Sequence, residues 1–379
     1  MSSTDSGEER AGGARRREFL GGAAGAAIAL GAGPALAAAG TGGRPGGKAY
    51  FERARVDLHA HVLPPFYLQA LEDAGLVLLG GLPIPSWSAK QAREFMALHG
   101  IAFQMVSISD PSVMFLPADE QPGLARKCND FLAALVRGDS SHFGAHGCIP
   151  MDDPAAAREE AIYCLDTLGL DGVGLFSSSK GVYLGDPAYD ALLNQLNKRK
   201  AWVFVHPREI GEEDRPSYSI PPSLMEFPFD STRALASLLF HNSFARFPGI
   251  RWQFTHGGGA ITMMGPRLSA LAANAAVFAD FLGLPPESKV LDGDSPRKAF
   301  EKLVYDTTLV ADGPGIAGIK QLAGVRHLIF GSDWPFSART FSDDIQDPAP
   351  GLSDALTDRG PGPGDAEMTG AGVERGCRP

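Results

Sequence analysis

From about Arg55 to Asp333 the chain alternates short apolar runs, rich in β-branched and aromatic residues, with longer segments of helical periodicity. Eight of the runs read as strands: residues 55–61, 104–109, 143–149, 172–176, 201–206, 251–256, 303–306 and 327–333. Segments long enough for crossover helices separate them, for example residues 154–168 and 189–199. Repeated βα units build a parallel sheet. Eight of them predict an α/β fold, a single (β/α)8 TIM-type barrel, which ordinarily takes about 250 residues. An open doubly wound sheet would need a glycine-rich phosphate loop after an early strand, and none is present.

The two ends break this pattern. Arg15-Arg16-Arg17-Glu18-Phe19-Leu20 precedes a charge-free Ala/Gly-rich stretch, Gly21 to Ala39, with small residues suited to a signal peptidase. Pro34 and the glycines make this stretch a poor membrane-spanning helix. The pattern resembles a twin-arginine export signal, which implies the twin-arginine translocase as a partner and a periplasmic or extracellular destination. Residues 337–379 carry seven glycines, five prolines and one aromatic residue, Phe341, without helical periodicity. The expected organisation is a signal peptide over 1–39, a linker over 40–54, a barrel over 55–336 and a divergent, disordered tail over 337–379. A frameshift is one origin for such an ending.

Composition refines the picture. A length of 379 residues alone would allow two or three domains, but removing both ends leaves one barrel. The formal net charge is -10, and no Lys/Arg-rich stripe crosses the body, which argues against a nucleic-acid partner. In the leader Asp5, Glu8, Glu9 and Glu18 offset Arg10, Arg15, Arg16 and Arg17, so the acidic balance belongs to the mature chain. Four cysteines without a CxxC pair read as packing thiols.

In a barrel, chemistry sits where strands end and βα loops begin. The first strand reads Val56-Asp57-Leu58-His59-Ala60-His61, and regular alternation would place Asp57, His59 and His61 on one face. The fifth strand ends at His206, the sixth at His256 before Gly257-Gly258-Gly259, and the eighth at Asp333. Any one of these endings fits a satisfied core histidine as well as a ligand. Their ordered recurrence at the ends of strands one, five, six and eight is a more specific signal.

That ordering resembles the amidohydrolase superfamily, in particular its decarboxylase branch of 6-methylsalicylate, γ-resorcylate and aminocarboxymuconate-semialdehyde decarboxylases. The resembling segments are Val56 to Pro65, Phe204-Val205-His206-Pro207, Glu226 to Asp230, Thr255 to Gly259 and Phe330 to Pro335. The resemblance implies that His59, His61 and His206 ligate one divalent metal, with Asp333 a fourth ligand or proton carrier and His256 a catalytic acid/base beside them. Such donors suit zinc, the commoner expectation, or manganese. Strand four ends at Phe176-Ser177, without the lysine that bridges two metals in many hydrolytic members, so the implied site is mononuclear.

Arg267, eleven residues after His256, corresponds to a carboxylate-binding arginine that relatives place near a neighbouring subunit, which implies a homodimer; a solvated helix arginine is the alternative. Arg208 and Arg233 are further candidates for gripping an acidic substrate. Phe66, Phe176, Phe227 and Trp334 are candidates for an aromatic wall, with core packing the other reading. Asp306, ending strand seven, is placed to orient a neighbour. The implied activity is non-oxidative decarboxylation of a small aromatic hydroxy-carboxylic acid. A metal-dependent hydrolase of a lactone, amide or ester, and an inactive barrel with a binding role, are the alternatives.

Overall fold

Gly100 shows how the local sequence starts a strand. The helix Ala89–His99 is capped at one end by Ser88, whose Oγ accepts from the Gln91 N–H at 3.2 Å, and stops at Gly100, which adopts φ 64°. The chain turns there into the next strand. The computed structural model describes residues 55–209, 219–310 and 313–337; the expected signal peptide and linker and the expected tail beyond Ser337 lie outside the described residues. The barrel strands are β1 (Arg55–His61), β2 (Ile101–Ser107), β3 (Phe143–Cys148), β4 (Gly172–Phe176), β5 (Trp202–His206), β6 (Arg251–Phe254), β7 (Val304–Asp306) and β8 (Leu328–Ile329).

All eight are hydrogen-bonded in chain order and every neighbouring pair is parallel. This is the (β/α)8 barrel that the periodicity predicts. Two short hairpins, Leu78–Leu79 with Leu82–Pro83 and Ser178–Ser179 with Val182–Tyr183, are additions that the periodicity does not reveal.

β5 is buried along its whole length because helices cover its outer face while the barrel encloses its inner one. The helix Gln121–Gly138 shows the covering pattern, burying Leu124, Ala125, Cys128, Leu132, Ala133 and Val136. Inside the barrel a separate apolar cluster, Leu58, Met105, Trp202, Val304 and Ile329, fills the end where the strands begin.

β1 departs from simple alternation. Asp57 pairs with Gln104 and His61 with Ser107, so four steps along β1 oppose three along β2. The extra residue is a β-bulge. Gln104 and Ser107, three apart, face opposite sides of β2, and Asp57 and His61 do likewise. The expected single face for Asp57, His59 and His61 is therefore corrected: His59 and His61 turn into the barrel, and Asp57 turns away.

Closure uses few ladder bonds. β8 has only two residues, and Ala60 and Trp334 form a single parallel bridge. The chain after β8 binds β1 through Leu58 N–H to Phe330 O at 2.9 Å, Asp333 N–H to His59 O at 2.8 Å and His61 N–H to Trp334 O at 2.7 Å. Asp57 fixes this seam. Its carboxylate accepts from Ser332 Oγ at 2.6 Å, Ser332 N at 3.0 Å, Gln104 Nε2 at 2.9 Å and His59 N at 3.2 Å. Burial pushes the Asp57 carboxyl up to about 6, although those four bonds pull it down. Asp57→Ala would leave several buried donors unpaired, and each costs about 1–3 kcal/mol. The expected loss is at least about 2 kcal/mol in denaturant unfolding, and a loss below about 0.5 kcal/mol would remove Asp57 as the closure.

Candidate metal centre

Four buried imidazoles and one carboxylate converge at the end of the barrel where the strands finish. His59 and His61 come from β1, His206 ends β5, His256 follows β6, and Asp333 lies in the seam after β8. Ring centroids of His59 lie 5.0 Å from His61, 5.5 Å from His206 and 5.1 Å from His256. One ligand atom each from His59, His206, His256 and Asp333 falls within 4.8 Å of the others. His61 Nε2 lies 3.1 Å from His59 Nε2 and 2.9 Å from Asp333 Oδ1.

Hydrogen bonds on the far side of three rings set their tautomers. His59 Nδ1 donates to Asp306 Oδ2 at 3.0 Å. His61 Nδ1 donates to Ser107 Oγ at 3.1 Å, whose own hydroxyl donates to Ala60 O. His206 Nδ1 donates to Pro207 O at 2.7 Å, and a carbonyl can only accept. All three Nε2 lone pairs consequently face the centre. Two bare lone pairs cannot face each other at 3.1 Å without a cation or a proton between them. His256 differs, because its Nδ1 has no hydrogen-bond partner.

The electrostatics make the same demand. Burial alone would lower His59, but the charges and hydrogen bonds of Asp306 and Asp333 raise it to about 10. Burial lowers His61 and pulls His206 well below the usual histidine range. Asp333 lies well below the usual carboxylate range despite its burial, because His256, His59 and His61 surround it. Two buried carboxylates, Asp306 and Asp333, thus call for positive charge among these imidazoles. This donor set fits a divalent ion.

Backbone constraints hold the cluster. His256 and Asp333 have φ 51° and 57°, an uncommon region for residues with side chains and one enriched at functional sites. The His256 N–H donates to Asp306 Oδ1 at 2.9 Å, so one carboxylate positions both His59 and His256. Gly259 takes φ 68°, and a Cβ there would sit 1.9 Å from Pro228 O. That is the close approach expected of the glycine run. Asp230 accepts from Ser177 Oγ, from Tyr183 OH at 2.6 Å and from Arg208 N at 3.0 Å, which ties the turn after His206 to the helix Glu226–Phe240.

A cavity of about 500 Å³ opens above the imidazoles, with His206, His256 and Asp333 at its base and Leu79, Leu82, Phe227, Val310 and Phe336 in its walls. Phe227 stands edge-on to His206, with ring centroids 5.5 Å apart. The other aromatic candidates lie elsewhere. Phe176 is buried behind His206 at 5.8 Å, Phe66 packs on Phe131, and Trp334 stacks on Phe95 in the outer core. Phe336, two residues beyond Trp334, is the wall residue and meets His61 at 5.6 Å.

Arg208 lies near Asp110 beside the cavity, while Arg267 is exposed on the helix Ile261–Ala272 and does not line it. Arg233 is half-exposed, within 4.0 Å of Glu226 and Asp230. Lys180 pairs with Asp152 at 3.4 Å and does not enter the cluster. Asp306 orients His59, as its place at a strand end suggests. Ser107, the last residue of β2, meets His61, and Asp110 lines the cavity from the loop beyond it; the sequence pattern singles out neither. His146, unassigned by pattern, lies inside the barrel stacked on Phe204 at 5.1 Å, and burial lowers it to about 3.

The Amidohydrolase family model matches residues 56–367. The chain belongs to the amidohydrolase family. The decarboxylase yanB of Aspergillus niger is 28% identical over 299 residues, covering 75% of this chain and 77% of that protein. The 6-methylsalicylic acid decarboxylase acuB of Aspergillus aculeatus is 28% identical over 313 residues, covering 80% and 92%. A 5-carboxyvanillate decarboxylase of Novosphingobium aromaticivorans, solved with manganese and 4-hydroxy-3-methoxy-5-nitrobenzoic acid, superposes with a TM-score of 0.65 at 18% identity, covering 83% and 95%.

Asp306→Asn keeps the size of the side chain but removes the charge that orients His59. Such partners of ligating histidines typically contribute about 10- to 100-fold to metal affinity. A chelator-competition titration should show a loss in that range for a variant that still melts cooperatively; unchanged affinity would contradict the orienting role.

Proposed function

We propose that the protein is a divalent-metal-dependent, non-oxidative decarboxylase of a small aromatic hydroxy-carboxylic acid. The observation that carries this reading is the convergence of the His59, His61 and His206 Nε2 lone pairs and Asp333 beneath a largely apolar cavity. The named activities of the relatives support it. His59, His61, His206 and Asp333 are the proposed ligands, because the three rings have their Nδ1 protons engaged elsewhere. His256, with Nδ1 unpartnered and Nε2 3.9 Å from Asp333 Oδ2, is free to carry a proton. Zinc or manganese suits the donor set, and manganese in the similar solved structure supports the second.

Held by His59, His61, His206 and Asp333, a divalent ion would supply positive charge to orient the substrate's oxygens. The protein's own residues do the rest. Phe227 and Phe336 sandwich or edge the ring and exclude water from the base of the cavity. Protonated His256, steered by Asp333, delivers its proton to the ring carbon bearing the carboxylate. The C–C bond then breaks, its electron pair returns to the ring, and CO2 departs while His256 is left neutral.

Two further features belong to the proposal. Exposed apolar side chains on the helices Ile261–Ala272 and Ala275–Leu282, Met263 at 81% and Phe281 at 86%, support a homodimer through the face that carries Arg267. The Arg16-Arg17 pair of the leader supports export by the twin-arginine translocase, and a chain with lysine at both positions that still left the cytoplasm would remove that reading.

The mature chain with one equivalent of metal should release CO2 from members of a salicylate and resorcylate panel. Turnover of a parallel lactone and amide panel without CO2 would overturn the decarboxylase reading in favour of a hydrolase. His256→Ala should retain the ion and lose about 10²- to 10⁴-fold in turnover; full turnover in that variant would remove His256 as the acid.

A further inference from the structure

Asp110 lies three residues beyond β2, at the end of the barrel that carries the imidazoles, and is 5% exposed. It lines the cavity, yet its Oδ1 has no hydrogen-bond partner. Ser223 Oγ, also in the cavity lining, is likewise unpartnered. Buried polar atoms without partners are uncommon in folded proteins, and each one calls for an account. Both residues line one ligand-sized space whose other walls are mainly apolar.

We infer that Asp110 selects substrates by holding a ring hydroxyl, distinct from the carboxylate that leaves, against its free Oδ1. The inference rests on the decarboxylase reading for the ring and the carboxylate, and adds the residue that discriminates among such acids. Among the described residues no lysine or arginine lines the cavity, so a second carboxylate would find no direct counter-charge there. A hydroxyl both donates and accepts, and so does a carboxyl near its midpoint. Burial pushes Asp110 up to about 7; the Arg208 charge and a backbone hydrogen bond from Glu209 oppose this, while the charges of Glu209 and Asp230 add to it. A methyl group in the hydroxyl's place would leave Oδ1 unpaired in a dry pocket, at about 1–3 kcal/mol, equivalent to roughly 10- to 100-fold in binding.

The test uses the full chain loaded with manganese and salicylates that carry either a hydroxyl or a methyl at the same further ring position. Binding is measured by calorimetry and CO2 release in parallel, for the native chain, Asp110→Asn and Asp110→Leu. The native protein should prefer a hydroxylated member over its methyl counterpart, and Asp110→Leu should reduce that ratio by about 10- to 100-fold, with Asp110→Asn between the two. A native protein without such preference, or a ratio unchanged in both variants, would overturn the role of Asp110. If the ratio depends on Asp110 but no CO2 appears, the decarboxylase reading falls and the selector stands. If the native protein binds no member of the panel, both fall.

Discussion

The carboxylate of Asp57 is the contact on which the site's geometry depends. Barrels of this kind need an eighth strand that meets the first, but β8 is two residues long and supplies almost no ladder to β1. Asp57 compensates by accepting from the backbone and hydroxyl of Ser332 while also binding Gln104 of β2. Asp333 is the next residue after Ser332. The side chain that closes the barrel therefore also sets where the Asp333 carboxylate stands relative to His59 and His61. The bulge in β1 makes this possible, because it turns Asp57 to one side of the sheet and His59 and His61 to the other.

Charge balance follows from that arrangement. Asp306 and Asp333 are buried among imidazoles, and their negative charge raises His59 to about 10 in the absence of an ion. A divalent cation satisfies the same demand with more charge, and the Nε2 atoms already face inward to receive it. Positive φ at both His256 and Asp333 stores strain of order 1–3 kcal/mol per residue. The backbone bonds from His256 N to Asp306 and from Asp333 N to His59 O hold these conformations in place.

The barrel was legible because its signal is repeated: each βα unit carries its own apolar run and helical segment, and small errors at the ends do not alter the count. β2 starts at Ile101 instead of residue 104 because Gly100 ends the preceding helix there. β8 stops at Ile329 because the following residues leave the ladder to form the seam. The histidines and Asp333 were legible because each lies in the last residues of an apolar strand run or just beyond it. The bulge was not, since an inserted residue leaves the apolar pattern of β1 unchanged and appears only in its pairing with β2. The aromatic wall was also hidden: Trp334 and Phe336 are two residues apart in an irregular turn, where no period tells which one faces the cavity. Asp110 lies beyond the end of β2 in a loop, and its significance comes from a wall contributed by distant segments, including the hairpin around Gly80.

The central claim is that His59, His61, His206 and Asp333 form one ion site with His256 beside it. Anomalous diffraction from crystals of the manganese-loaded protein tests this most directly. One peak is expected, about 2.0–2.3 Å from Nε2 of His59, His61 and His206 and from an Asp333 oxygen, with His256 beyond bonding distance. A peak bonded to His256 with His61 excluded, or an ion bound away from this cluster, would contradict the account.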